Sequence, residues 1–192
     1  VYHTILFMPY FISWIIVAYV VYAFVSANGV FNQWLKALGQ NTINFYSSPQ
    51  YWPFIFVFCN IWRYTGNNSI IYLATLANVD ESLHESAVID GASRLQRIWY
   101  INIPCLTPTI VIQLILSLGG ILGADFEKVL LMQNASIMET ADIIGTYTYR
   151  IGIQGSEFSI SSAIGMFNSV VNLIMLVLVN SICRRISDTS LW

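Results

Sequence analysis

Two groups of residues in this sequence have the types and spacing to do chemistry. The first is a stripe of Asn60, Arg63, Tyr64 and Asn67, which fall on one helical face at i, i+3, i+4 and i+7. A guanidinium and two amides can exchange hydrogen bonds with polar groups, and a phenol ring offers a face for stacking. The second is the run Glu85-Ser86-Ala87-Val88-Ile89-Asp90-Gly91-Ala92, followed ten residues after the glycine by Ile101-Asn102-Ile103-Pro104. It places acids at the rim of an apolar surface, the anatomy of a docking element. Nothing comparable supports catalysis. His3 and His84 are isolated from any metal-ligand or triad partner, so no catalytic and no metal-binding residue is assigned. Cys59, Cys105 and Cys183 are an odd number, each in or beside an apolar segment, and read as buried thiols.

The elements that must position these groups follow from composition. Only 9% of the 192 residues are charged, while 56% are hydrophobic and 15% aromatic. So few charges cannot cover a water-facing surface, so lipid must replace water over much of it. The same numbers exclude a disordered chain. A net charge of −2 leaves no electrostatic footprint for nucleic acid. An all-α integral membrane protein is expected, with spans over about 4–25, 52–77, 108–124 and 160–183. The runs are too long and too continuously apolar for barrel strands. Val1 already lies inside an apolar run with no signal-peptide pattern before it, so the natural N-terminus is expected to be missing.

Six charged residues lie between Asp80 and Arg97, inside the 78–107 loop. Asp80 can cap a helix with Glu81 in its first turn, and Gly91 permits a sharp change of direction. A second amphipathic helix with Leu95, Ile98 and Trp99 on one side is expected to end at Pro104 and Pro108. Arg94, Arg97, Arg184 and Arg185 lie on one side of the membrane, against Lys36, Lys128 and Arg150 on the other. That bias turns the 78–107 loop toward the cytoplasm. It leaves 125–159, with a short helix over about 140–150, facing outward.

The 85–104 stretch resembles the EAA motif of bacterial ABC-importer permeases: Glu-Ala-Ala, a glycine, nine residues, then Ile-x-Leu-Pro. Glu85, Ala87, Gly91, Ile101 and Pro104 stand at matching positions, and Asp90 and Ala92 match the Asp-Gly-Ala form of sugar permeases. Ser86 and Ile103 depart conservatively, and Glu81 stands where a proline is common. The runs Pro9–Trp14, Asn68–Leu73, Phe126-Glu127, Leu131–Asn134, Thr146–Arg150 and Leu191-Trp192 resemble polysaccharide-type carbohydrate permeases.

The resemblance implies the type I ABC importer permease fold, as one permease domain over 1–192 lacking two N-terminal spans. It implies that the 78–107 loop is a coupling helix fitting a cytoplasmic ATPase, with Glu85 meeting a basic residue there. It implies as partners a second permease subunit, two ATP-binding subunits, an extracytoplasmic solute-binding protein, a carbohydrate cargo and membrane lipid. ATP-Mg would be used by the partner ATPase, and no cofactor would be bound by this chain. No G-x-x-x-x-G-K-[ST] phosphate loop is present.

Arg63 is alone inside its span, and a charge there usually faces a cavity or a partner. Further polar stripes run through the third span (Thr109, Gln113, Ser117) and the fourth (Ser161, Gly165, Asn168, Asn172). Either these line a hydrated sugar path or they hydrogen-bond helix to helix. Asn60, Arg63, Tyr64, Asn67, Gln113, Asn168 and Asn172 are the candidate path residues. Gly119 and Gly123 suggest close packing. In 125–159, Glu139, Asp142, Arg150 and Glu157 are candidates either for contact with a binding protein or for an ordinary solvated surface.

The expected function is the transmembrane subunit of an ATP-driven importer of an oligosaccharide or polysaccharide fragment across the bacterial cytoplasmic membrane. An amino-acid or phosphate permease is the alternative within the class. A secondary transporter would carry carboxylates inside its spans, and a membrane-embedded enzyme would carry a clustered acid, base or metal set. The proposed spans hold neither.

Overall fold

The computed structural model describes residues 2–123 and 125–186. Ala124, the expected end of the third span, and the closing Leu191-Trp192 lie outside them. The described residues form helices and turns. In chain order the helices are α1 (Tyr2–Phe7), α2 (Trp14–Val25), α3 (Val30–Ala37), α4 (Trp52–Ala77), α5 (Glu81–Ile89), α6 (Arg94–Arg97) and α7 (Ile103–Gly119). They continue as α8 (Phe126–Met132), α9 (Met138–Ala141), α10 (Ile144–Tyr149) and α11 (Phe158–Ile186).

Apolar stretches of bilayer length are Trp14–Ala37, Arg94–Gly119 and Phe158–Arg185, of 24, 26 and 28 residues. The first runs through α2, α3 and the turn between them. Helix α4 has the boundaries expected of a span and 26 residues. It falls short of those three in apolarity because Asn60, Arg63, Asn67 and Asn68 interrupt it.

Three expected helices differ in the structure, each for a local reason. The run over 4–25 is broken: Pro9 sits in a 3₁₀ turn (Met8–Phe11), and Ser13 restarts the helix as N-cap of α2, its Oγ accepting from the Ile16 N–H. The prolines at 104 and 108 do not end a helix. A π-helical turn over Ile98–Asn102 joins α6 to α7, so the helical path runs from Arg94 to Gly119. In that turn the Ile103 N–H bonds to the Ile98 carbonyl, a shifted register that accommodates the N–H missing at Pro104. The helix that carries the expected third span thus starts before 108, and α7 closes at Gly119. The expected helix over 140–150 is divided at Asp142 and Ile143.

The chain clusters into two compact units, Val1–Gly66 with Leu122–Met166, and Asn67–Ile121 with Phe167–Trp192. The first is built around buried Trp14, Val17, Trp52, Cys59, Met132 and Ile137. Buried Asn32 ties α3 to the chain around it, donating to the carbonyls of Ser26 and Ile43 and accepting from the Ile43 N–H at 3.1, 2.8 and 2.9 Å. Gly66 lies directly on the Leu6 carbonyl, so α1 and α4 meet with no room for a Cβ. In the second unit the hydroxyls of Thr75 and Thr109 hydrogen-bond at 3.0 Å between α4 and α7. A Cβ on Gly119 would stand 2.8 Å from Leu176 Cδ1, whereas Gly123 has open space. The small-residue expectation therefore holds at one of its two positions, and Thr109 bonds helix to helix.

Candidate functional site

In the second unit the 85–104 residues form a bent, solvent-facing element. Asp80 caps α5, its Oδ1 accepting from the Ser82 N–H at 3.0 Å. That bond holds the Asp80 carboxyl below the usual carboxylate range. At the other end the Ala92 N–H reaches back to the Ala87 carbonyl at 2.8 Å and the Gly91 N–H to Val88 at 3.0 Å. Gly91 closes the helix in the left-handed region, at φ +78, with nothing near where a Cβ would be. Glycine is required there by backbone conformation alone. Ser93 and Gln96 then form a reciprocal capping box that launches α6.

The result presents Glu85, Ser86, Asp90 and Gly91 to the exterior, with Ala87, Ala92 and Ile101 half-buried and Pro104 exposed. Leu83, Val88, Leu95 and Trp99 are also exposed, and Ile89 is 86% exposed. An acid and a ridge of large apolar side chains thus share one uncovered element.

The first unit places the polar stripe of α4. Arg63 stacks on the Trp14 ring at 4.4 Å and donates from Nη2 to the Tyr10 carbonyl at 3.4 Å, while Nε and Nη1 are enclosed without an acceptor. Tyr64 packs edge-on to Tyr10 and against Trp14. Asn60 donates to Asp125 Oδ2 at 2.9 Å, and its own carbonyl oxygen is enclosed without a partner. Asp125 pairs with Lys128 at 2.9 Å. Lys128 also donates to the Phe56 carbonyl and lies over the rings of Phe56 and Trp14.

Sequence reasoning counted Lys128 among outward loop charges, but its side chain is 2% exposed. Asp125 was not singled out at all. The i,i+3 spacing of Asp125 and Lys128 was a legible sign of a pair. Their engagement with α4, across 65 residues to Asn60, was not.

The remaining path candidates, Asn67, Gln113, Asn168 and Asn172, fall in the second unit. Asn168 and Asn172 stand one turn apart on α11, each with an enclosed carbonyl oxygen that has no partner. No hydrogen bond among the described residues joins these four. Among the charges of 125–159, Arg150 and Asp142 engage each other through two bonds, Nη2 to Oδ2 at 2.6 Å and Nη1 to Oδ1 at 3.3 Å. Arg150 holds the Asp142 carboxyl below its usual range and is itself raised by it. Glu139 and Glu157 are exposed. Among the described residues no cluster of histidine, cysteine or acidic side chains could hold a metal.

Helices of bilayer length, polar side chains enclosed among them and an acidic, apolar turn left uncovered define a membrane-embedded transport component. The chain belongs to the family of binding-protein-dependent transport system inner membrane components, whose model matches residues 1–188. It is 37% identical over 98% of its length to Protein LplB of Bacillus subtilis (strain 168), and covers 60% of that protein. It is 35% identical over 98% of its length to the polygalacturonan/rhamnogalacturonan transport system permease protein YteP of the same organism, covering 59% of it. A chain of the bacterial alginate ABC transporter, solved in complex with an alginate pentasaccharide-bound periplasmic protein, superposes with a TM-score of 0.93 at 41% identity. That match covers 98% of this chain and 66% of the other. The fold is thus that of an ABC importer permease, and the chain spans about 60% of the length of the relatives it matches. The family is one of transport components, not of enzymes.

Proposed function

We propose that this chain is the transmembrane subunit of an ATP-driven importer that moves an oligosaccharide or polysaccharide fragment across the bacterial cytoplasmic membrane. The observation that carries the reading is the exposed bend around Gly91, which couples an outward-pointing acid, Glu85, to an uncovered apolar ridge between long apolar helices. In this reading Glu85, Ser86, Ala87, Asp90, Gly91, Ala92, Ile101 and Pro104 form the element that docks in a cleft of a cytoplasmic ATPase. The partner ATPase binds ATP-Mg; this chain binds none. Two such ATPase subunits, a second permease and an extracytoplasmic solute-binding protein complete the machine. Closure of the ATPase pair rocks the permease helices between inward-open and outward-open states.

The chain is a single permease domain crossing the membrane four times. The crossings draw on the 4–25 region, α4, the part of α7 beyond Pro104, and α11. A carbohydrate cargo is supported by the relatives, polygalacturonan/rhamnogalacturonan transport for YteP and alginate import for the solved transporter. The path residues are Asn60, Arg63, Tyr64, Asn67, Gln113, Asn168 and Asn172. Of these, Asn60 and Arg63 in one unit and Asn168 and Asn172 in the other carry enclosed polar atoms without a partner, which suit hydroxyl groups. The test is a screen of glycans for stimulation of ATP hydrolysis by the reconstituted complex with its binding protein. Stimulation by a glycan and not by amino acids or phosphate is expected. Stimulation by a non-sugar solute alone would overturn the cargo assignment.

A further inference from the structure

The segment expected to face outward carries a cleft of about 310 Å³ that belongs to neither the coupling element nor the Arg63 stripe. The end of α8, the start of α9 and a π-helical turn over Arg150–Gln154 converge on it. Its volume lies at the small end of the range for clefts that take small molecules.

The lining has a consistent chemistry. Gln133 contributes an amide whose Oε1 is enclosed and accepts no hydrogen bond. A buried acceptor left idle is costly, so it marks a place where a donor is expected. Tyr149 adds an aromatic ring, and Gln154 a second amide on the exposed side. Arg150 lines the cleft too, but both its Nη atoms are held by Asp142. The guanidinium therefore offers no uncompensated charge. The π turn that carries Arg150 and Gln154 is closed by the Gly155 N–H on the Arg150 carbonyl at 2.9 Å. It is fixed from behind by Gly152, which lies directly on the Ser161 hydroxyl. Widened turns of this kind recur at functional sites.

An idle acceptor, free amide groups and a ring, without net charge, fit the hydroxyl-bearing face of a sugar ring better than a carboxylate or a cation. We infer that this cleft is a saccharide subsite of the chain itself, which holds one ring of the cargo through its hydroxyl groups, with the Gln133 amide, once its side chain turns into the cleft, as the central acceptor. The inference rests on the carbohydrate reading above.

The experiment uses the assembled transporter in nanodiscs without its binding protein. Binding of trigalacturonate and of its fully methyl-esterified, uncharged form is followed by ligand-observed NMR. Both probes are expected to bind with similar affinity. Gln133→Leu and Gln154→Ala should each weaken both probes, Gln133→Leu by roughly five- to tenfold, the effect of one lost hydrogen bond. Thermal unfolding and basal ATP hydrolysis should stay as in the parent protein. Binding of neither probe, or binding unchanged in both variants, would overturn the subsite. So would variants that bind the probes normally but lose capture of the binding protein, which would make the cleft a protein contact. Failure of every glycan to stimulate ATP hydrolysis in the complete parent complex is a separate result that strikes the import reading.

Discussion

The Arg63 guanidinium lies 4.4 Å over the ring of Trp14, and two of its nitrogens are enclosed with nothing to bond. The ring supplies part of the stabilisation a desolvated cation needs. In the proposed path, the idle donors are left for a passing ligand. Arg63→Ala is expected to lower glycan uptake per assembled complex by roughly ten- to a hundredfold, the range for a lost hydrogen bond to a charged group. Uptake assays normalised to purified complex decide it. Loss of assembly with normal uptake by what remains would give Arg63 a structural role instead.

Lys128 and Asp125 make the opposite case, a pair that is satisfied and enclosed. Lys128→Met should destabilise the protein by about 3 kcal/mol, because Asp125 then keeps its charge beside Asn60 without a counter-ion. The figure is at the low end because a third of the Asp125 side chain is exposed, at 33%. Adding Asp125→Asn should recover a substantial part of the loss. Chemical unfolding in detergent of the two single variants and the double variant reads the coupling directly; strictly additive losses would contradict the pair.

Asp142 and Arg150 predict a pH dependence. The folded-state carboxyl is depressed, so the unfolded chain binds more protons than the folded one between the folded value and about pH 4. The contribution of the pair is therefore fully present at neutral pH and is lost as pH falls through the folded value. Asp142→Asn should be less stable than the parent protein at pH 7 and converge with it under acid. A stability difference that stays constant from pH 7 into the acid range would remove the pair as its cause.

At the proposed coupling element, Glu85→Lys should abolish transport and weaken association with the proposed partner ATPase while membrane insertion stays normal. Normal sugar uptake by this variant would refute the docking assignment. Gly91→Ala should act through strain, about 1–2 kcal/mol for a non-glycine residue in the left-handed region, and Gly91→Asn should be milder. Co-purification of the ATPase with each variant provides the ranking.

Which parts of this molecule were legible from its residues follows from the range of the forces involved. Asp80 and Gly91 act within a few residues, and each behaves in the structure as its type and spacing suggest. The limits of α4 were legible for the same reason. At Pro104 the neighbouring π turn absorbs the missing N–H and nearby sequence does not announce it, while Pro108 is carried inside α7. The Thr109 hydroxyl could face a sugar or another helix, and only its meeting with Thr75 settled which.

Composition by itself determined that this chain lives in lipid, because 9% charge cannot cover a folded surface in water. The motif spacing determined where its uncovered acid-and-apolar bend lies. Tertiary structure alone decided the fate of the scarce charges away from that bend. Arg63 stacks on Trp14, the Asp125–Lys128 pair engages α4 through Asn60 and the Phe56 carbonyl, and Arg150 is neutralised by Asp142. A buried charge takes whatever partner the fold brings within a few ångströms, and for Arg63 that partner comes from a different helix.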